Sequence, residues 1–144
     1  MTAEFDVIVW GASGFTGRLV AEYIAENYGI GHELRWAIAG RQKDKLQALR
    51  STLVGNGEVN SLPILIADSS NRESLDELVR QTKVICTTVG PYALYGTALV
   101  EACVESGTDY CDLTGEVQWM HRIIESQEDK AKETGARIVH TCGF

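Results

Sequence analysis

The sequence predicts an α/β fold built on a doubly wound parallel sheet, and three observations carry that prediction. Short apolar runs alternate about six times with segments of helical periodicity. The first run leads straight into a glycine-spaced turn, Gly11-Ala12-Ser13-Gly14-Phe15-Thr16-Gly17, and then into a helix. The 144 residues are 44% hydrophobic and 23% charged with two prolines, a balance that suits one domain with one core. Right-handed crossovers between parallel strands place the ligand crevice at the carboxyl ends of the strands, as in a Rossmann-type dinucleotide-binding sheet.

Residues 5–10 form a first buried strand. A helix follows over 15–27, with Leu19, Val20, Tyr23 and Ile24 expected on its inner face, and Gly29 and Gly31 end it. Residues 34–39 read as the second strand. Leu46, Leu49 and Leu53 give helical spacing over 42–54, and Gly55-Asn56-Gly57 breaks it. The third strand covers 62–67. Ser70-Asn71-Arg72-Glu73 has the form of a capping box and predicts a helix to about residue 81.

The fourth strand, 83–89, is rich in β-branched residues. Gly90-Pro91-Tyr92 reads as a loop, because proline donates nothing to a ladder. A helix over 96–105 carries Leu99, Val100 and Cys103 and is closed by Gly107. A short fifth strand spans 109–112. An amphipathic helix over 116–133 is expected to bury Trp119, Ile123 and Ile124. The sixth strand, 136–141, precedes Phe144 with no helix after it, so the chain reads as an N-terminal fragment whose substrate-carrying domain lies further on.

The net charge of -7 gives no support to nucleic-acid binding, which needs a clustered basic face. Cys86, Cys103, Cys111 and Cys142 form no C-x-x-C pair and no zinc-ligand spacing, so no metal site is expected. Cys86 and Cys103 lie in apolar runs and read as small core residues. No signal peptide and no run of about 20 apolar residues occurs, so a cytoplasmic protein without an integral membrane segment is expected.

The candidate site is the crevice beside the glycine turn. Gly11 permits a tight turn off the strand. Gly14 leaves room for a pyrophosphate, and Gly17 lets the helix pack closely on the sheet. Ser13 and Thr16 can add hydroxyl donors to the first-turn amides. The acidic residue that binds the ribose 2′-hydroxyl in NAD-preferring domains is missing from the end of the second strand, where Gly40-Arg41 stands instead. Arg41 can fork onto a 2′-phosphate, with Lys43 and Lys45 adding positive potential. NADP(H) is therefore expected over NAD(H).

Asp68 ends the third strand, either as an acceptor for the adenine amino group or as a turn residue. Thr88, Val89, Gly90, Pro91 and Tyr92 follow the fourth strand, with Tyr92 expected near the nicotinamide. Asp112 and Glu116 flank the crevice after the fifth strand. They can bind a cation or move a proton, or Glu116 can serve only the start of the next helix. His140 reads as a packed core residue. None of the five tyrosines has a lysine four residues on, so the Tyr-x-x-x-Lys pair of short-chain dehydrogenases is absent.

Taken together, Trp10 to Gly17, Ala39-Gly40-Arg41, Val89-Gly90-Pro91-Tyr92, Tyr110 to Glu116 and Cys142-Gly143-Phe144 resemble the saccharopine dehydrogenase-like oxidoreductases, including trans-acting enoyl reductases. The resemblance covers essentially the whole chain. It implies an NADP(H)-dependent oxidoreductase moving hydride to or from a C=N or C=C bond. It also implies a C-terminal domain for catalysis and dimerisation and a small-molecule substrate bound there. The sequence assigns no catalytic residue. The alternative is a non-enzymatic NADP(H)-sensing domain that signals to a partner.

Overall fold

The structure, a computed structural model, describes residues 2–143. Six parallel strands, β1 (Phe5–Trp10), β2 (Trp36–Gly40), β3 (Ile64–Ile66), β4 (Thr82–Thr87), β5 (Asp109–Cys111) and β6 (Ile138–Val139), lie in the order β3-β2-β1-β4-β5-β6. Six helices connect them: α1 (Phe15–Tyr28), α2 (Lys43–Thr52), α3 (Arg72–Val79), α4 (Tyr92–Tyr95), α5 (Thr97–Ser106) and α6 (Val117–Thr134). The strand order reverses between β1 and β4. The loops leaving those two strands therefore part and open a crevice at their carboxyl ends. The doubly wound parallel sheet is the one the sequence predicts.

Side chains alternate across the sheet, so successive residues of a strand enter different cores. Val9 and Ile38 pack with Ala21, Ile24, Leu46 and Leu49 of α1 and α2. Ile8, Trp10, Ile85 and Tyr110 pack with Leu75, Leu78, Leu99, Val100 and Trp119 of α3, α5 and α6. The register aligns Val9 with Cys86 and Cys86 with Cys111 on the α1 side of the sheet. The elements packed on β4 and β5 are α3 and α5, which lie on the opposite side. Cys86 and Cys111 are accordingly half-buried, and Val139, the register partner of Cys111, is exposed.

Several expectations need correction. Leu19 and Tyr23 do not face the core; they are 46% and 60% exposed. The inner face of α1 is Gly17, Ala21, Ile24 and Ala25. A Cβ added at Gly17 would lie 2.0 Å from the Gly11 carbonyl oxygen, so this small-residue face is the one that can approach the turn so closely. Ile124 is half-exposed, whereas Trp119 and Ile123 are buried. The cap of α3 is Asn71, whose side chain accepts from the Ser74 amide at 3.2 Å; Ser70 turns back to Asp68 instead. The loop expected at Gly90-Pro91-Tyr92 is cut short, since Tyr92 opens α4 with Pro91 as its cap.

The third and sixth strands are shorter than their apolar runs. β3 keeps three residues, and β6 keeps two and ends before His140. Cys103 is buried as expected, but Cys86 is not a core residue. Phe144 lies outside the described residues.

Candidate functional site

The crevice is a cavity of about 630 Å3 lined on one side by Gly11, Ser13, Gly14, Phe15, Thr16 and Gly17. Its floor and second wall come from Arg41, Asp68 and Ser70, and its third from Thr88, Val89, Gly90, Leu94 and Tyr95. The volume is in the range of a small-molecule or cofactor site. A second cavity of about 360 Å3 lies between α6 and β6, lined mainly by apolar residues. Convergent amides, hydroxyls and a guanidinium are found in the first, which is the candidate site.

The turn is held by its backbone. Gly11 has φ +81°, its amide donates to the Ala39 carbonyl at 2.9 Å, and its carbonyl accepts from the Gly14 amide at 3.1 Å. Only glycine takes this backbone conformation without strain. Here a Cβ would also lie 2.2 Å from Cγ2 of Val89. Ala12 is fully buried beneath the turn and positions it without lining the cavity. Gly14 caps α1 with no side-chain hydrogen bond, so the amides of the first turn are left for an anion. Ser13 is exposed and Thr16 half-buried at this mouth.

Arg41 follows β2 directly and is exposed at the rim. Among the described residues it makes no ion pair, so its five donors are available. Lys43 and Lys45 are exposed at the start of α2. Across the rim, Oδ1 of Asp68 accepts from the backbone amide and the hydroxyl of Ser70 at 2.8 and 2.7 Å. These two bonds, helped by the charge of Arg41, hold its carboxyl below the usual carboxylate range. The turn role and the acceptor role are thus compatible, because Oδ2 stays open.

Thr88, Val89 and Gly90 line the third wall, but Pro91 and the Tyr92 side chain do not. Tyr92 is 4% exposed. It stacks against Trp119 with ring centroids 5.5 Å apart, and its hydroxyl donates to the Thr87 carbonyl at 3.3 Å. Burial first, and then the nearby carboxylate of Asp112, push its pKa up to about 12. A strand-to-helix transition at Pro91 turns this aromatic inward and presents Leu94 and Tyr95 to the cavity instead. No sequence signal separated Tyr92 from Tyr95, since both stand in the same short apolar stretch.

Behind this wall lies a polar cluster. Asp112 is buried, and burial alone would raise its pKa. Bonds from His140 Nδ1 at 2.8 Å, the Tyr110 hydroxyl at 2.6 Å and the amides of Thr114 and Thr141 outweigh burial and hold it below the usual range. His140 is therefore bonded to a carboxylate as well as packed, its ring meeting Trp119 edge-on. The carboxylate of Glu116 accepts from the Tyr92 and Ala93 amides at 2.6 and 3.1 Å. It bonds the start of α4, while Glu116 itself stands at the N-cap position of α6 without a side-chain bond to that helix. Neither carboxylate lines the cavity. Among the described residues, no group of three or more His, Cys, Asp or Glu could hold a metal ion, and no helix is long and apolar enough to cross a membrane.

Comparison with known proteins agrees with this geometry. Residues 7–139 match the family described as saccharopine dehydrogenase NADP binding domain. The chain is 42% identical over 141 residues to the trans-acting enoyl reductase of Mycobacterium tuberculosis and 41% identical to that of Mycobacterium leprae. Each alignment covers 98% of this chain and 32% of the relative, so the chain spans about a third of their length. Among solved structures, saccharopine dehydrogenase (L-Glu forming) from Saccharomyces cerevisiae superposes with a TM-score of 0.74 at 17% identity. That match covers 96% of this chain and 27% of the other. The Citrobacter triphenylmethane reductase complexed with NADP(H) gives 0.68 at 15% identity, over 94% of this chain and 48% of its own.

Proposed function

The chain belongs to the saccharopine dehydrogenase NADP-binding domain family, and from that premise we propose that it holds NADP(H) for hydride transfer to a C=C or C=N bond. The observation that carries this reading is the cradle itself. A Cβ at Gly11 would collide with Val89 and one at Gly17 with the backbone of the turn, so the turn takes this tight shape only with glycine at both positions, and the first turn of α1 is uncapped beside them. A diphosphate fits there, received by the amides of α1 and the hydroxyls of Ser13 and Thr16. Arg41 takes the 2′-phosphate as a charge-assisted fork, and Oδ2 of Asp68 accepts from the adenine amino group. Thr88, Val89 and Gly90 line the ribose path, with Leu94 and Tyr95 beyond.

Bound NADPH supplies the hydride at nicotinamide C4. The residues of this chain bind and orient it. The groups that select the substrate and deliver a proton belong to the rest of the length seen in the relatives. The enoyl reductase names of those relatives favour a C=C acceptor. A second domain carrying substrate contacts and a dimer interface is part of the same proposal, as is a cytoplasmic setting.

Calorimetric titration of this chain with NADPH and NADH tests the cofactor assignment. NADPH is expected to bind more tightly, and equal affinity or an NADH preference would overturn the role given to Arg41. NADPH oxidation by this chain alone with an enoyl or imine substrate would overturn the assignment of substrate groups to the remaining length.

A further inference from the structure

Two thiols stand side by side next to the cofactor crevice. Cys86 is the penultimate residue of β4 and Cys111 the last residue of β5, and the parallel register pairs them directly. Residues paired in register point to the same side, here the side that α3 and α5 leave uncovered. Both are half-buried, so a small oxidant can reach them. The two thiols perturb each other, Cys111 drawing the pKa of Cys86 down and Cys86 pushing that of Cys111 up. Cys103 is fully buried in the opposite core and takes no part.

We propose that Cys86 and Cys111 are a modification site, a dithiol that a peroxide converts reversibly to a disulfide. One thiol, as its thiolate, attacks a peroxide oxygen; the S–O bond forms as the O–O bond breaks, leaving a sulfenic acid and a hydroxide that takes up the proton the thiol gave, as water. The second thiol then displaces hydroxide, which leaves as water with the thiol proton. Two thiols lose two electrons, the peroxide gains them, and two waters form.

Neighbouring strands hold register-paired Cα atoms about 4.8 Å apart, inside the span that a disulfide accepts. The usual Cβ separation in a disulfide is about 3.8 Å, shorter than the strand spacing, so closure draws the ends of β4 and β5 together.

That movement has a path to the cofactor. Thr87 follows Cys86, and its hydroxyl accepts from the Val89 amide at 3.2 Å. Val89 in turn packs over Gly11, the first residue of the phosphate turn. Oxidation therefore weakens NADPH binding, a consequence that rests on the cofactor site proposed above.

Two readouts test the two parts separately. The chain is treated with hydrogen peroxide and mapped by mass spectrometry without reduction, and NADPH affinity is measured before and after. A peptide joining Cys86 to Cys111, reversed by dithiothreitol, lost in Cys86→Ser and kept in Cys142→Ser, is the expected result. Adducts confined to Cys142, or a link that needs Cys142, would overturn the site. NADPH affinity is expected to fall at least about 5-fold on oxidation, the lower edge of ordinary coupling between linked sites. A disulfide that leaves affinity unchanged overturns the coupling. A reduced chain that binds no NADPH overturns the cofactor site while the mapped disulfide still stands.

Discussion

At the scale of single residues, the site depends on what is missing from Gly17 and on what is unpaired at Arg41. The absent Cβ lets α1 lie against the turn, since an added carbon would sit 2.0 Å from the Gly11 oxygen and 2.8 Å from Cα of Ala12. These contacts are backbone, which cannot swing aside. Gly17→Ala is expected to cost about 1–3 kcal/mol of stability through overpacking and to abolish measurable NADPH binding. Thermal denaturation and calorimetry read the two effects. Arg41 is different, being exposed and, among the described residues, without an ion-pair partner. Arg41→Ala is expected to leave the melting temperature unchanged. It should cost NADPH affinity by about 1.5–3 kcal/mol while sparing NADH, the range of a hydrogen bond to a charged group. Both residues were legible in the sequence because spacing and residue type alone define their chemistry.

At the scale of elements, the third wall is built by a long-range contact. The four-residue helix α4 is too short to stand by itself, and the carboxylate of Glu116, 23 and 24 residues away, satisfies two of its first amides. This bond fixes where Leu94 and Tyr95 sit at the cavity mouth. Glu116→Gln keeps the shape but removes the charge. It is expected to cost about 1 kcal/mol and to loosen α4, measured as faster amide exchange over 92–96. Unchanged exchange there would remove Glu116 from the wall. Glu116 stands at the N-cap position of α6, as foreseen, but its carboxylate bonds the start of α4 instead. Sequence proximity pointed to α6, whereas the fold brings the start of α4 within reach of the same carboxylate. The same distinction explains α1. Periodicity of large apolar residues picked out Leu19 and Tyr23, while the close approach at Gly17 turned the small-residue face inward.

At the scale of the whole molecule, the sheet ends are pinned by carboxylates. Asp112 ties Tyr110, His140, Thr114 and Thr141 into one cluster between β5 and the segment after β6. Asp109 pairs with Arg137, and Asp6 joins Arg35 and Lys83 across the amino ends of the strands. Bonds to their partners hold all three below the usual carboxylate range. A carboxyl whose folded pKa is depressed adds stability in full above its unfolded value, about 3.9, and loses it as the pH falls toward the folded value. The melting temperature is therefore expected to be flat between about pH 5 and 7 and to drop below about pH 4. Asp112→Asn should make that acid limb shallower by removing one titrating group. An acid limb of undiminished steepness in that variant would place the pH dependence elsewhere.

What the sequence determined by itself was everything local or periodic. The alternation of apolar runs set the parallel sheet, the glycine spacing set the tight turn at Gly11, and Arg41 in place of an acidic residue set the expectation of NADP(H). Each follows from covalent spacing and residue chemistry within a short window. The tertiary structure alone decided which residues meet across long separations. It buried Tyr92 and sent Tyr95 to the cavity, bonded His140 to Asp112, and laid Cys86 beside Cys111 on an uncovered sheet face. Those outcomes depend on strand register and on which helices cover which side, and neither is carried by any short stretch of chain.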